Sequence, residues 1–212
     1  MSSQCAAPLV GILKYPGSNA RSVMNAYARL GVESFVSSDE QDLRTATHIV
    51  IPGQGEASSL MKQVNSCGLQ NYLFTTTQPA LGICLGMQAL FEHSYEGNTK
   101  LLGLIPGEVY KLTENKPIPH TGWASIHYLQ SSELFSSIEN TEYFYFLHSY
   151  RVPNGSATLA EVRYEDESFP AVITVNNWVG VQFHPEKSGS AGGQFLLNFL
   201  QSSLSNSSLK GD

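Results

Sequence analysis

The first half of the chain alternates short apolar segments with segments of helical periodicity. Apolar runs that predict buried strands lie at 9–13, 33–36, 48–51 and 80–84. Apolar residues at helical spacing follow at 23–30, 58–64 and 87–91. Strands that alternate with helices are typical of a parallel sheet covered on both faces. We therefore expect an α/β fold in which functional sites form at the carboxyl ends of the strands.

The second half of the chain has a different pattern. Six strand-like segments with turn signals between them lie at 109–112, 125–129, 143–151, 157–164, 171–175 and 179–183. A last helix is predicted at 193–200, and the segment 120–123 is predicted to be a polar-aromatic turn. The sequence therefore predicts one domain over residues 1–212, with a mostly parallel central sheet, added antiparallel strands in the second half, a core from about 8 to 200 and a Ser-rich C-terminal tail.

The composition argues against several classes of function. The chain has 212 residues and a net charge of -6, with no cluster of Lys or Arg, so we expect neither nucleic acid nor a membrane surface as a partner. No apolar run is long enough to span a bilayer, and no signal peptide is recognisable. Three scattered cysteines (Cys5, Cys67 and Cys84) argue against a disulfide framework and favour a cytoplasmic protein. No metal site is predicted, because the His and Cys residues lack ligand spacing.

The segment Gly82-Ile83-Cys84-Leu85-Gly86 places a cysteine between a predicted strand and a predicted helix. Glycines on both sides of the cysteine permit the sharp turn of a nucleophile elbow. The sulfur would then lie at a helix N-terminus, where the helix dipole and free N–H groups favour the thiolate. The N–H of Leu85 would be placed to stabilise an oxyanion. A buried structural cysteine in a Gly-flanked turn is the alternative interpretation.

A candidate base lies at the end of the last predicted strand, where His184 is followed by Pro185 and Glu186. Glu186 would hold one imidazole nitrogen protonated, so that the other nitrogen faces Cys84. The imidazole could then take the thiol proton and return it to the leaving group. The alternative interpretation, which this motif alone does not exclude, is a structural histidine at a strand end with a solvated glutamate nearby.

The segment 51–55 (Ile-Pro-Gly-Gln-Gly) ends the third predicted strand. If the third and fourth strands are neighbours, the backbone N–H groups of Gly53 and Gln54 would form the other half of an oxyanion hole. No Gly-Lys-Ser/Thr follows, so the segment is not a phosphate-binding loop. A plain glycine-rich turn is the alternative interpretation.

Together these motifs resemble the class I (triad) glutamine amidotransferases. The resemblance is carried by 82–88 (Gly-Ile-Cys-Leu-Gly-Met-Gln) and 183–188 (Phe-His-Pro-Glu-Lys-Ser). A finer resemblance, over about residues 8–200, is to the glutaminase subunits of imidazole glycerol phosphate synthases. It is carried above all by 119–123 (Pro-His-Thr-Gly-Trp) and 145–150 (Tyr-Phe-Leu-His-Ser-Tyr).

The resemblance implies a flavodoxin-like fold and a concrete reaction. L-Glutamine would be hydrolysed to glutamate and ammonia through a thioester on Cys84, with His184 as the base, Glu186 as the residue that orients it, and no cofactor. The ammonia would pass to a (β/α)8-barrel cyclase subunit in a heterodimer. That subunit would make imidazole glycerol phosphate and aminoimidazole carboxamide ribotide in histidine biosynthesis.

Further residue roles follow from the resemblance by motif match. The residues that would bind glutamine are Gly53, Gln88, Ser149 and Tyr150. The residues that match positions at or near the subunit interface are Asn19, Trp123 and Lys187. The resemblance also implies that the glutaminase is nearly idle until the cyclase binds its substrate. An oxyanion hole that requires a flipped peptide within 52–55 would give a physical basis for this gating.

Three segments near the predicted site depart from the family pattern, at 15–19, 53–58 and Ala124. They leave the partner open, because the same chemistry serves related synthases for surface-sugar amidation and pyridoxal phosphate synthesis. A non-catalytic regulatory subunit of the same fold and a cysteine hydrolase without a glutamine pocket are further alternatives. The intact triad argues against the former, and the predicted glutamine-binding residues argue against the latter.

Overall fold

The structure, a computed structural model, describes residues 7–113 and 117–202. Its strands are β1 (Leu9–Leu13), β2 (Glu33–Ser37), β3 (His48–Ile51), β4 (Ala80–Ile83), β5 (His93–Ser94), β6 (Thr99–Lys100), β7 (Glu108–Lys111), β8 (His120–Tyr128), β9 (Tyr143–His148), β10 (Tyr150–Arg151), β11 (Thr158–Tyr164), β12 (Glu167–Val175) and β13 (Trp178–Val181). Its α-helices are α1 (Ala20–Arg29), α2 (Glu40–Arg44), α3 (Ala57–Ser66), α4 (Leu69–Thr75), α5 (Leu85–Gln88) and α6 (Gly189–Gln201). Short 3-10 helices lie at Glu96–Asn98, Glu133–Phe135 and Pro185–Lys187.

A nine-stranded mixed sheet forms the centre of the molecule, in the order β2-β1-β3-β4-β13-β12-β11-β8-β9. The pairs from β2 to β13 are parallel, and those from β13 to β9 are antiparallel. A smaller sheet has the order β10-β7-β5-β6. The predicted α/β fold, with a parallel sheet extended by antiparallel strands from the second half, is confirmed.

Buried side chains cover both faces of the large sheet. Val50 of β3 belongs to the cluster that contains α1 and α6, whereas its neighbours Ile49 and Ile51 belong to the cluster that contains α3 and α4. This alternation is the period of a strand, and it shows that β3 is buried on both faces. The described part of the chain contains no helix that is long and apolar enough to cross a membrane.

The segment 120–123 is not the predicted turn but the first part of β8. His120 pairs with His148 and Trp123 pairs with Tyr145 across the ladder to β9. The glycine in this segment reads as a turn signal, but cross-strand pairing outweighs it. The strand therefore begins five residues before the predicted start at 125.

The helix after Cys84 is shorter than predicted. α5 ends at Gln88, and the apolar residues Leu90 and Phe91 lie in the turn that follows. The backbone N–H groups of Leu102, Gly103 and Leu104 donate to the carbonyls of residues 89–91. These carbonyls are thus paired with a distant segment and cannot continue the helical ladder.

Other differences concern short or terminal elements. The prediction did not include α2, α4, β5 and β6, and α6 begins four residues before its predicted start at 193. The predicted strand 143–151 is interrupted at Ser149, which separates β9 from β10. The predicted Ser-rich tail lies, beyond Ser202, outside the described residues.

We expect the replacement of Phe144 by alanine to lower the free energy of unfolding by about 3–5 kcal/mol. The ring is fully buried, and its centroid lies 4.1 Å from that of Phe183. Tyr143→Ala is a matched control, because the Tyr143 side chain is 57% exposed and its loss should change stability by about 0.5 kcal/mol or less. Urea denaturation of the purified chain measures both values. Equal losses in the two variants would contradict this account of the core.

Candidate active site

Cys84 lies in a strained turn between β4 and α5. Its φ is 48°, a conformation that L-residues rarely adopt. A Cβ on Gly82 would collide with the backbone of Gly86, and a Cβ on Gly86 would collide with the carbonyl of Ile51. Only glycine at both positions therefore lets α5 begin directly against β3 and β4. The turn has the geometry expected of a nucleophile elbow.

His184 and Glu186 form a buried hydrogen-bonded pair at the end of β13. The His184 Nδ1 lies 2.8 Å from the Glu186 Oε1, and both side chains are fully buried. The other ring nitrogen, Nε2, is buried without an oxygen or nitrogen partner. A Cβ placed on Gly53 would lie 2.8 Å from the His184 Cε1 and 3.0 Å from the Cys84 Cβ, so the imidazole and the cysteine are close neighbours.

The charge of the imidazole depends on these neighbours. Burial lowers the pKa of His184, but the adjacent Cys84 and the hydrogen bond that the imidazole donates to Glu186 outweigh burial and raise the pKa above its usual value. A raised pKa favours the imidazolium. The imidazole is therefore suited to accept the proton of the Cys84 thiol when the sulfur attacks a substrate.

Asn19 is buried beside the pair rather than exposed on the surface. Its Nδ2 donates to the Glu186 Oε1 at 2.6 Å, and its Oδ1 accepts from the backbone N–H of Gly53 at 3.1 Å. Its exposed fraction is 8%. One side-chain amide thus connects the carboxylate at the end of β13 to the loop after β3.

The loop after β3 does not form an oxyanion hole in this structure. The Leu85 N–H donates to the carbonyl of Gly53 at 3.4 Å, and the Gly53 N–H is bound by Asn19. On the other side, the hydroxyl of Tyr15 donates to the carbonyl of Pro52 at 2.7 Å. The Leu85 N–H becomes available only when the peptide that follows Gly53 turns its carbonyl away.

A pocket opens over the sulfur at the carboxyl ends of β1, β3 and β4. It is lined by Gly17, by the loop after β3, by the turn around Cys84 and by residues 147–150, which together include the predicted glutamine-binding residues Gly53, Ser149 and Tyr150, and by the fourth of these, Gln88. Both N–H bonds of the Gln88 amide are used inside the protein, because Nε2 donates to the Tyr150 carbonyl at 2.9 Å and to the Gln182 Oε1 at 3.3 Å. The Gln88 Oε1 is therefore the atom left for a ligand.

Glu96 also lines this pocket and is missing from the sequence-based prediction. Its Oε2 accepts from the N–H of Ala57 at the start of α3, at 2.9 Å. Burial, followed by the nearby Glu56, raises the pKa of Glu96, while the hydrogen bond from Ala57 lowers it. No motif marks Glu96 in the sequence, since it lies in a short 3-10 helix that only the fold brings to the pocket.

The other two predicted interface residues lie outside the pocket. The Trp123 side chain is 55% exposed, and its ring centroid lies 6.0 Å from that of Tyr145. The Lys187 Nζ lies 5.9 Å from the same tyrosine ring. Trp123 and Lys187 therefore both lie beside Tyr145 of β9, and Tyr143, two residues earlier on the same strand, is also exposed.

Known proteins resemble this chain over most of its length. The family model described as Glutamine amidotransferase class-I matches residues 13–201. The chain is 43% identical over 194 residues to imidazole glycerol phosphate synthase subunit HisH 2 of Legionella pneumophila (strain Lens), a match that covers 91% of this chain and 97% of the relative. It is also 43% identical over 194 residues to subunit HisH of Escherichia coli (strain K12), covering 91% and 98%.

Solved structures share the fold at lower sequence identity. One described as "Crystal structure of glutamine amidotransferase" superposes with a TM-score of 0.72 at 18% identity, covering 92% of this chain and 98% of the other. The structure of PurLQS from Thermotoga maritima gives a TM-score of 0.63 at 19% identity, covering 92% and 98%. With the family model and the curated relatives, these likenesses lead to one conclusion: the chain belongs to the class-I glutamine amidotransferase family, in the group of the HisH subunits of imidazole glycerol phosphate synthase.

Proposed function

We propose that this chain is the glutaminase subunit of an imidazole glycerol phosphate synthase in histidine biosynthesis. It hydrolyses L-glutamine to glutamate and ammonia and supplies the ammonia to a (β/α)8-barrel cyclase subunit, in a cytoplasmic heterodimer. The observation that carries the proposal is the buried His184–Glu186 pair beside Cys84, at the bottom of a pocket in a chain that resembles HisH subunits. The whole chain, residues 1–212, would form one amidotransferase domain.

The triad residues have separate roles in the proposed reaction. The Cys84 thiolate attacks the side-chain amide carbon of glutamine, and the carbonyl oxygen becomes an oxyanion. His184 then gives its proton to the nitrogen, so that ammonia leaves and a thioester remains on the sulfur. The same imidazole takes a proton from water, which attacks the thioester and releases glutamate. Glu186 stabilises the imidazolium and keeps the Nε2 turned to Cys84.

The polar groups of the pocket suit the two ends of glutamine. Glu96 is a carboxylate on the pocket wall and is placed to bind the α-ammonium group of the substrate. The Gln88 Oε1 can accept a further N–H bond, because its own N–H groups are occupied. Ser149 and Tyr150, which line the same wall, would contact the α-carboxylate. These contacts explain why a peptidase-type substrate would be a poor fit.

The loop after β3 explains how the reaction would be held back without a partner. In the structure, the Gly53 carbonyl occupies the Leu85 N–H that the oxyanion requires. Turning the peptide between Gly53 and Gln54 would release Leu85 and present the Gln54 N–H to the same point. A shift of such a two-state loop from 1:99 to 99:1 requires about 5.5 kcal/mol of differential binding, which a partner with bound ligand can supply.

The partner would bind the exposed surface of Trp123, Tyr143 and Lys187. Exposed aromatic residues such as Trp123 and Tyr143 are enriched at protein interfaces. Tyr145, beside Trp123 and Lys187, accepts from the backbone N–H of His184 at 2.8 Å, so a barrel bound here would lie close to the triad that releases ammonia. The intact hydrogen bond between His184 and Glu186 argues against a non-catalytic subunit, and the similarity to HisH subunits favours histidine biosynthesis over the related synthases.

Cys84→Ala is expected to abolish glutamine hydrolysis while the cyclase still makes product from added ammonia, because only the sulfur forms the thioester. Cys67→Ala is the matched control, since Cys67 is exposed and far from the triad. Product formation by the complex is measured with glutamine and, separately, with an ammonium salt. Loss of both reactions in Cys84→Ala would contradict the proposed division of labour.

Glu96→Gln is expected to raise KM for glutamine roughly tenfold or more, with a smaller effect on kcat, because it removes the charge that binds the α-ammonium. The raised pKa of Glu96 also means that the carboxylate is lost at higher pH than in an exposed glutamate. The wild-type KM should therefore begin to rise at a higher pH than an exposed glutamate would give, and that of Glu96→Gln should not show this rise. Glu33→Gln, at an exposed position at the start of β2, serves as the control. Identical KM values in wild type and Glu96→Gln would exclude this role.

The isolated chain is expected to hydrolyse glutamine roughly two orders of magnitude more slowly than the chain bound to a cyclase with its nucleotide substrate. The reason is the hydrogen bond between the Leu85 N–H and the Gly53 carbonyl, which leaves the oxyanion without its donor. Glutamate release is measured for the chain alone, with the cyclase and with the loaded cyclase. Equal rates in the three cases would show that the loop does not limit the reaction.

A further inference from the structure

The side chain of Gln182 is a buried neighbour of the sulfur with no role in the mechanism above. Its Nε2 lies 3.5 Å from the Cys84 Sγ, and its exposed fraction is 0%. β13 and β4 pair in parallel, with Val181 opposite Ile83. Gln182 and Cys84 are the next residues on the two strands, so the sheet itself brings the amide to the nucleophile.

A backbone carbonyl determines which end of the Gln182 amide faces the sulfur. The carbonyl of Tyr150 can only accept, so the Gln88 atom that lies 2.9 Å from it is the Nε2. The same nitrogen lies 3.3 Å from the Gln182 side chain, which must therefore present its Oε1 to it. The Nε2 of Gln182 is left to point at Cys84, as a donor.

Two buried histidines continue the hydrogen-bond network beyond the Tyr150 carbonyl. The His148 Nδ1 lies 2.9 Å from the Tyr150 carbonyl and must donate to it. The His148 Nε2 is then an acceptor, 3.1 Å from the His120 Nδ1, which donates. Burial lowers the pKa of His120 to about 4, and burial together with His120 lowers that of His148 to about 3, so both rings are neutral near pH 7.

The two contacts of the sulfur favour opposite protonation states. The Leu147 carbonyl lies 3.7 Å from the Cys84 Sγ and can accept from a thiol, but it repels a thiolate. The Gln182 amide can donate to a thiolate, and a hydrogen bond to an ionised group is the stronger kind. Formation of the thiolate would therefore exchange the bond to Leu147 for a stronger bond from Gln182.

We propose that Gln182 is a further catalytic residue, whose side-chain amide donates a hydrogen bond to the Cys84 sulfur, stabilises the attacking thiolate and fixes its position. The proposal rests on the glutaminase function proposed above and adds a residue to that site. Gln88 lines the pocket and also acts as a positioning residue, because its Nε2 donates to the Oε1 of the Gln182 amide. His120 and His148 act through the Tyr150 carbonyl, at the far end of the chain of hydrogen bonds.

The test measures the alkylation rate of Cys84 by iodoacetamide as a function of pH, in a background with Cys5→Ser and Cys67→Ser. Gln182→Met keeps the length of the side chain but removes the donor. Its alkylation profile is expected to have a midpoint about one pH unit higher, which is a roughly tenfold lower rate at pH values below both midpoints. Gln182→Glu, which offers an acceptor to the sulfur, should move the midpoint further in the same direction.

The controls separate a lost hydrogen bond from a disturbed fold. Gln41→Met, at an exposed position on α2, should leave the profile unchanged. The other titratable groups that face the pocket or the sulfur are the same in all variants; they are Tyr15, Glu96, His148, Tyr150 and His184. Circular dichroism and thermal unfolding identify any variant that fails to fold, and the other Gln182 variant then decides the outcome.

Unchanged midpoints in the folded Gln182 variants would overturn the proposal. Alkylation needs neither glutamine nor a cyclase, so that result would leave the proposed function intact, which the Cys84→Ala experiment tests separately. In the complex with a loaded cyclase, Gln182→Met is expected to lower kcat for glutamine while KM stays near the wild-type value. A rise in KM alone would assign Gln182 to substrate binding and would also overturn the proposal.

Discussion

The close packing of β3, β4 and α5 is the constraint on which the site depends. Cys84 has a positive φ, which an L-residue keeps only where the surrounding structure enforces it. Gly82 and Gly86 leave no room for a side chain between the helix and the two strands. The sulfur and the Leu85 N–H therefore lie at one fixed point, the start of the helix. The pocket, the imidazole and the loop after β3 are all arranged around that point.

Asn19 makes the two halves of the site depend on each other. One planar amide donates to the triad carboxylate of Glu186 and accepts from the N–H of Gly53. A movement of the loop that displaces Gly53 must therefore stretch its hydrogen bond to Asn19. Because Asn19 also binds Glu186, the movement reaches the partner of His184. The Tyr15 hydroxyl donates to the carbonyl of the preceding residue, Pro52. The peptide after Gly53 is therefore the part of the loop that can rotate. Binding at the adjacent surface can act on the base and on the oxyanion donor through this one element.

The sequence predicts those features whose cause is local. The strands β1, β3 and β4 follow from short apolar runs, and the turn around Cys84 follows from the glycines on either side of it. Glu96 and Gln182 could not be predicted, because their importance arises only when distant segments meet. The hydrogen bond between Asn19 and Glu186 illustrates this limit, because it joins residues separated by 167 positions. The family motif gives Asn19 only a position at or near the subunit interface. The start of β8 was missed for the same reason, since pairing with β9 determines it.

Several hydrogen-bond donors around the pocket are already bonded within the protein, whereas acceptors remain for a ligand. Both N–H bonds of Gln88 and the N–H groups of Gly53 and Leu85 are satisfied by the protein itself. The Gln88 Oε1 and the Glu96 carboxylate face the pocket as acceptors. The resting pocket can therefore bind the cationic end of an amino acid, while the Leu85 donor that its reacting carbonyl needs is withheld. In the proposed function, the change that frees this donor is confined to one peptide, so it can turn on the reaction while the acceptors for the ammonium end of the substrate stay in place.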